Sequence, residues 1–284
     1  MRKITDAEIE FFDDNGYVIC PKVLHAAELE NFRDESARLI AEVQAGGPAD
    51  KLCGRGPEGI PYYLNMLHAN PNSFSLRLLA NPFVGDLLTR MVGPDFIPCY
   101  ESLVFKLPGN GSSVPWHRDG NALIEGERVF NIDIYPDRST VANSCVWVVP
   151  GSHKWEQDRA MDLAFRGRDN FEIPGAVPAE LEAGDVLLHH VKVLHGSTVN
   201  QTNELRRVVY FDNRAMSWNE KYKWFDPEAL KKRCKLFQYA LNERASNPYP
   251  GDDETFRYAP PAGLPLWQPG EPVELGIDRG SYPG

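Results

Sequence analysis

A histidine and an aspartate, side chains that bind divalent metals, stand two positions apart in Trp116-His117-Arg118-Asp119-Gly120. In an extended segment alternate side chains share a face, so His117 and Asp119 can converge on one ion while Arg118 points away. His195 is the third candidate: it follows a strand announced by Gly184-Asp185 and precedes Gly196-Ser197, a place where an imidazole can be held at a strand mouth. Two neutral imidazoles and one carboxylate form the facial triad of non-haem Fe(II) oxygenases, which leaves three positions of an octahedral ion open. Eleven positions after His195, Arg206 opens another strand. A buried guanidinium there takes one end of a dicarboxylate through two parallel hydrogen bonds. That is the need of 2-oxoglutarate, whose keto-acid end would chelate the iron. Arg207 is the register competitor, and because neighbouring strand residues face opposite ways only one of the two faces the site.

Other residues have two readings each. Phe130-Asn131-Ile132-Asp133-Ile134-Tyr135 alternates between an apolar and a polar face. A sheet with its polar face in solvent explains this as well as a cavity wall does. On the second reading all three polar residues line the iron cavity, Asn131 against 2-oxoglutarate and Asp133 against a cationic or hydroxylated substrate. Trp116 either walls the cavity or packs in the sheet, and Tyr62-Tyr63-Leu64-Asn65 is a further candidate wall. The polar stretch between Lys154 and Pro174, with Arg159, Arg166 and Arg168, is too long for a tight connection and reads as a lid or a solvated loop. His189 and His190 adjoin the third ligand, but histidines in a half-buried strand are more often hydrogen-bonded packing residues. His153 reads as a loop anchor, and His25 and His68 carry no signal.

The elements that must position these residues fall in an order. Thr5 with Glu8 three positions on is a capping box that opens a first helix, ended by Asn15-Gly16. A short strand Tyr17–Cys20, a helix over Ala26–Val43, a Gly/Pro-rich loop from Gly46 to Gly59 and a helical stretch within Phe74–Met91, interrupted at Pro82, complete a helical first third, residues 1–93. Residues 94–214 turn to short β-branched and aromatic runs: Cys99–Leu107, Phe130–Tyr135, Cys145–Val149, Val186–His189 and Val208–Asp212. A helix over Phe225–Ala245 and an irregular Pro/Gly-rich tail occupy 215–284. The expected fold is mainly β with flanking helices, a double-sheet jelly roll in a single domain spanning 1–284. Hydrophobic residues at 42% and charged residues at 25% suit a globular core. A formal charge of −10, with no basic run, opposes nucleic-acid binding and favours small-molecule substrates. The five scattered cysteines fit reduced thiols, and no apolar run approaches membrane length, so the expected location is the cytoplasm, with no membrane partner. The oligomeric state is left open.

Taken together, the motifs resemble the phytanoyl-CoA dioxygenase family, within the double-stranded β-helix (cupin-like jelly-roll) 2-oxoglutarate oxygenases. The matching text is Glu8-Ile9-Glu10-Phe11-Phe12 with Asn15-Gly16-Tyr17-Val18, Trp116-His117-Arg118-Asp119, Val148-Val149-Pro150-Gly151-Ser152-His153-Lys154, Gly184-Asp185, and His195-Gly196-Ser197 with Arg206. By that resemblance His117, Asp119 and His195 hold iron, Arg206 binds the distal carboxylate of 2-oxoglutarate and Ser197 assists it. The implied reaction uses Fe(II), 2-oxoglutarate and O2 to hydroxylate an unactivated C–H bond, giving succinate and CO2. The substrate expected is a small polar molecule or natural-product intermediate. The family often has Gln where this chain has Arg118, and Asn-Gly where it has Asn143-Ser144. Family halogenases replace the metal-binding carboxylate, and Asp119 argues against that chemistry. Two rivals stand beside this reading. A metal cupin acting as hydrolase or isomerase leaves Arg206 without a task, and a noncatalytic 2-oxoglutarate- or metal-binding protein would keep the triad without turnover.

Overall fold

The capping box forms as the sequence predicts. Thr5 Oγ1 accepts from the Glu8 N–H and the Glu8 carboxylate accepts from the Thr5 N–H, opening helix α1 (Asp6–Asn15). Gly16 closes it at φ 78°, and a Cβ there would stand 2.4 Å from the His153 ring, so two constraints require glycine at this turn into strand β1 (Tyr17–Cys20). The computed structural model describes residues 2–56, 59–70, 72–109, 112–120, 127–167, 171–253 and 256–277.

Helix α2 (Ala26–Gln44) buries Phe32, Leu39, Ile40 and Val43. The expected Gly/Pro loop that follows contains a 3₁₀ turn and strand β2 (Cys53–Arg55), which pairs with β3 (Pro61–Asn65). Pro82 splits the next helical stretch into α3 (Ser75–Leu79) and α4 (Pro82–Val92). It lacks an N–H that the first turn would leave unpaired anyway, and Asn81 caps α4 by accepting from the Phe83 N–H.

Strands β4 (Phe96–Lys106), β5 (Val114–His117), β6 (Phe130–Ile134) and β7 (Val146–Val148) follow. The polar stretch between Lys154 and Pro174 is not all loop: it holds helix α5 (Gln157–Arg166), and strand β8 (Val177–Ala179) follows it. Strands β9 (Val186–His190), β10 (His195–Ser197) and β11 (Arg206–Ala215) lead into helices α6 (Met216–Tyr222) and α7 (Pro227–Ser246). Two antiparallel sheets result, a larger one in the order β1-β9-β6-β11-β4-β3-β2 and a smaller one in the order β5-β10-β7-β8.

The alternation on β6 explains how they face each other. Phe130, Ile132 and Ile134 join Val186, Leu188, Val209 and Phe211 against the helical layer, in one apolar core with Phe32, Leu39, Phe83 and Leu87. Tyr135, Leu187 and Val208 instead meet Val146 and Val148 of the smaller sheet. The polar face of β6 therefore turns into the space between the sheets, not into solvent. This is a double-stranded β-helix, mainly β with flanking helices. After α7 the described residues hold no further helix or strand and lie back on the body, with Tyr258 donating to the Phe96 carbonyl (2.7 Å) and Arg233 to the Ile277 carbonyl (2.6 Å). No helix among the described residues is long and apolar enough to cross a membrane.

Candidate active site

The register of β10 against β5 sets His195 directly across from His117, with ring centroids 4.2 Å apart. Gly196 permits this approach, because a Cβ there would lie 3.0 Å from the Val114 carbonyl oxygen and 3.1 Å from the Trp116 nitrogen, both backbone atoms. Just beyond the end of β5, Asp119 completes the group, and one donor atom from each of His117, Asp119 and His195 lies within 4.8 Å of the others. Each imidazole gives its Nδ1–H to a backbone carbonyl two residues earlier, His117 to Pro115 at 2.8 Å and His195 to Val193 at 3.0 Å. That orients both rings so that their Nε2 atoms turn toward the carboxylate. The donor set fits a divalent iron-type ion: two neutral imidazole nitrogens and one carboxylate oxygen on one side, the other side open to a cavity.

Electrostatics agree with a site built for a cation. Burial would raise the Asp119 pKa, but the hydrogen bonds to His117 and His189 and the charge of His117 outweigh it and hold the carboxyl well below its usual range. Burial, reinforced by the neighbouring His117, pushes His195 down to about 3, so its Nε2 lone pair is available at neutral pH. His117 moves the other way: burial opposes its protonation, but the Asp119 hydrogen bond and charge prevail and raise it.

A cavity of about 420 Å³ opens beside these residues. Arg206, at the start of β11, lines it, while its Nε donates to Ser139 Oγ (3.2 Å) and its Nη2 to Tyr135 Oη (3.4 Å). Arg207 points to the opposite face, clamped in two bonds of 2.8 Å by Asp137 and bonded to the Arg33 carbonyl, so the two arginines face different surroundings. Ser197 and Asn131 both line the cavity. Asn131 lies against the carboxylate of Asp119, donating from Nδ2 at 2.8 Å.

The candidate substrate residues divide. Tyr63 lines the cavity and shares a hydroxyl–hydroxyl hydrogen bond with Tyr100. Trp116 does not: strand alternation turns it away from His117, into a cluster with Val149, Ala164, Ile173 and Leu194, stacked on Phe171 with centroids 4.8 Å apart. Asp133 and Tyr135 face inward, yet are fully buried behind His189 and Arg206 rather than in the cavity wall. Arg159, on α5, stacks over Trp155 at 3.8 Å, Arg166 pairs with Asp162 on the outer surface, and Arg168 lies outside the described residues. Arg118 points away as alternation requires, donating to the Ser152 and Trp155 carbonyls and tying the end of β5 to the turn before α5.

Sequence reasoning passed over several residues. His189 is a packing residue by that reading, but its Nε2 lies 3.1 Å from Asp119 Oδ2. Tyr210, Asp212 and Arg214 line the cavity farther along β11, and Tyr100 faces Asp212 across from β4. The alternation Arg206, Val208, Tyr210, Asp212 carries a signal for this row. Arg214 continues the same count, and the bulge at this point falls on β4, where the partners step from Tyr100 to Pro98. Lys106 sits opposite Arg206, buried, with its ammonium on the Ser112 and Thr198 carbonyls; burial, with the Arg206 charge adding to it, pushes its pKa down to about 6.

A jelly roll that gathers two imidazoles and a carboxylate at one side of a cavity, with a buried arginine farther along it, is built as the non-haem iron, 2-oxoglutarate-dependent dioxygenases are. The family model described as phytanoyl-CoA dioxygenase (PhyH) matches residues 12–208, and the chain belongs to that family. Among its relatives is a protein named Dioxygenase FrzG from Cladobotryum sp, 34% identical over 228 residues and covering 71% of this chain and 72% of that one. The fold is similar to that of AviO1 from Streptomyces viridochromogenes Tue57, with TM-score 0.65, 25% identity, and coverage of 75% of this chain and 96% of that one. It is also similar to EctD from S. alaskensis, solved with 2-oxoglutarate and 5-hydroxyectoine, with TM-score 0.63, 21% identity, and coverage of 75% and 77%.

Proposed function

We propose that the protein is an Fe(II)- and 2-oxoglutarate-dependent hydroxylase of a small polar molecule or natural-product intermediate. His117, Asp119 and His195 are the iron ligands, and Arg206, assisted by Ser197, holds the distal carboxylate of 2-oxoglutarate. The observation that carries this reading is one cavity lined both by the three converging ligands and by the Arg206 guanidinium. When bound, iron with 2-oxoglutarate and O2 supplies the oxidising power, with succinate and CO2 as coproducts.

The chain's own residues orient and shield. Arg206 offers a planar fork to a carboxylate, and its Tyr135 and Ser139 contacts fix the fork's direction. The two backbone-bonded imidazoles keep their Nε2 atoms on the same point without further movement. At the other end of the cavity-facing row, Asp212 and Arg214 are ion-paired beside Tyr62, Tyr63 and Tyr100. Such a wall hydrogen-bonds hydroxyls, amines and carboxylates, and it gives an acyl chain little apolar surface. A cavity near 420 Å³ lies low in the range of small-molecule sites, roughly 300–1,000 Å³. Part of it must hold the cosubstrate, so the substrate is small.

The test is succinate formation and O2 uptake with Fe(II) and 2-oxoglutarate against a panel of polar metabolites and biosynthetic intermediates. Asp119→Ala is expected to abolish turnover. Arg206→Ala is expected chiefly to weaken 2-oxoglutarate binding, by roughly 10-fold or more, as the loss of hydrogen bonds to a charged group implies. Undiminished 2-oxoglutarate affinity in the Arg206 variant would remove that assignment. An enzyme that never forms succinate would remove the reaction.

A further inference from the structure

The carboxylate of Asp119 is held by more than the site needs for ligation alone. Its Oδ2 meets two donors at once, Asn131 Nδ2 at 2.8 Å and His189 Nε2 at 3.1 Å. The same two donor atoms stand 3.2 Å apart because they converge on one oxygen. On the far side of the ring, His189 Nδ1 lies 2.7 Å from Asp133 Oδ2, and both residues are buried, at 1% and 0% exposure. The sheet places these groups in register: Asn131 pairs with His189 across β6 and β9, and Asp133 lies two residues farther on the same face of β6. The other oxygen of Asp119, Oδ1, faces His117 Nε2 at 3.3 Å.

We propose that His189, backed by Asp133, is a positioning residue that works with Asn131 to hold Oδ2 of Asp119. Oδ1 is then the single oxygen offered to the metal. The physical need is a coordination count. A carboxylate that binds through both oxygens would take one of the three positions that a dicarboxylate-derived chelate and O2 require. Two donors on Oδ2 compete with the metal for that oxygen and keep the carboxylate monodentate. Asp133 fixes the ring from the other side: each nitrogen faces a carboxylate oxygen, Nδ1 that of Asp133 and Nε2 that of Asp119, an arrangement in which both nitrogens donate, as in the imidazolium. His189 is not itself a ligand here, because its Nε2 is directed to the carboxylate and the converging metal-binding atoms come from the other three residues.

This inference rests on Asp119 being a metal ligand, so the experiment separates the two. Anaerobic Co(II) titrations, followed by the visible absorption of the bound ion, would compare the wild type with Asp119→Ala, His189→Leu, His189→Gln, Asp133→Asn and Asn131→Ala. The melting temperature of each metal-free protein would be recorded alongside. Loss of outer hydrogen bonds to a ligand lowers metal affinity by roughly 10- to 100-fold, and His189→Leu is expected in that range with an altered absorption envelope. Asp133→Asn and Asn131→Ala are expected to weaken binding less. His189→Gln, whose amide can still donate to Oδ2, is expected to recover part of the loss. If Asp119→Ala binds Co(II) like the wild type, the ligand assignment itself fails. If Asp119→Ala loses binding while the His189, Asp133 and Asn131 variants keep wild-type affinity and spectrum, the positioning role fails and the ligand assignment stands. Lowered melting temperatures with unchanged affinity also overturn it. Should His189→Leu not fold, Asp133→Asn and Asn131→Ala carry the same comparison.

Discussion

Burial, the largest of several influences, holds two imidazoles outside the active site in the neutral form. His68 lies in the core with Nδ1 against Ser75 Oγ at 2.9 Å, and burial, only partly offset by the charge of Glu101, pushes its pKa down to about 4. His190 is also pushed to about 4 by burial; its Nδ1 accepts the Lys192 N–H at 3.0 Å and its Nε2 donates to the Glu127 carbonyl at 3.1 Å, which leaves no site for a second proton. In both cases the folded pKa lies below the unfolded value near 6.5, so on acidification the unfolded chain takes up protons first. Their stabilising effect is complete above about pH 6.5 and is lost as the pH falls toward 4, by about 3 kcal/mol per imidazole. Unfolding free energies measured across that window should fall with pH in the wild type. They should fall less steeply in His190→Asn, whose amide oxygen can still accept the Lys192 N–H without titrating. Equal slopes would show that His190 is not the group responsible.

Among elements, β10 bears the tightest constraint. Its three residues are all buried, and it runs between β5 and β7, with His195 opposite both His117 and Val148. A Cβ at Gly196 would first meet the backbone of β5, with the edge of the Phe171 ring next at 3.2 Å, so an added methyl presses β10 away from β5. Gly196→Ala is therefore expected to cost about 1–3 kcal/mol, as overpacking does. It should also separate His195 from His117 and weaken metal binding. Thermal denaturation and a Co(II) titration on the same sample would check both. Normal affinity in a destabilised variant would show that the strand contact and the metal geometry are independent. Helix α5 and the turn before it are anchored through Arg118 to the end of β5, the strand that carries His117.

Across the whole molecule, a buried ion cluster joins parts of the chain that the sheets do not. Arg244 on α7 bonds Glu28 on α2 (2.6 Å), Asp252 in the tail (2.7 Å) and the Arg77 carbonyl on α3 (2.6 Å), while Asn81 donates to both oxygens of Glu28. Glu28 and Arg244 are 0% and 2% exposed, so removing one partner strands the other's charge in the core. Arg244→Ala is expected to cost about 3–5 kcal/mol. A lower urea midpoint with an unchanged slope would register it. Adding Glu28→Gln should restore part of the loss, because the stranded charge is then gone; strict additivity of the two losses would contradict that account.

The shared direction of His117 and Asp119, the opposite directions of Arg206 and Arg207 and the helices of the first third were legible in the residues, because local spacing reports which side chains share a face of a strand or helix. The capping box at Thr5 and the break at Pro82 are local in the same sense. What lies across from what was not legible. Strand β10 meets β5 from 78 residues away, counting His195 to His117, and β6 meets β9 from 58, counting Asn131 to His189. No periodicity within either segment encodes such a pairing. The inward turn of the polar face of β6 and the burial of Asp133 and Tyr135 behind other residues depended on it. So did the contact of His189 with Asp119 and the grouping of Tyr100, Asp212 and Arg214. The sequence by itself determined which chemical groups were available and on which side of each strand they stood. Only the packing of two sheets decided which of them share a cavity, because that depends on closing long loops around a common core.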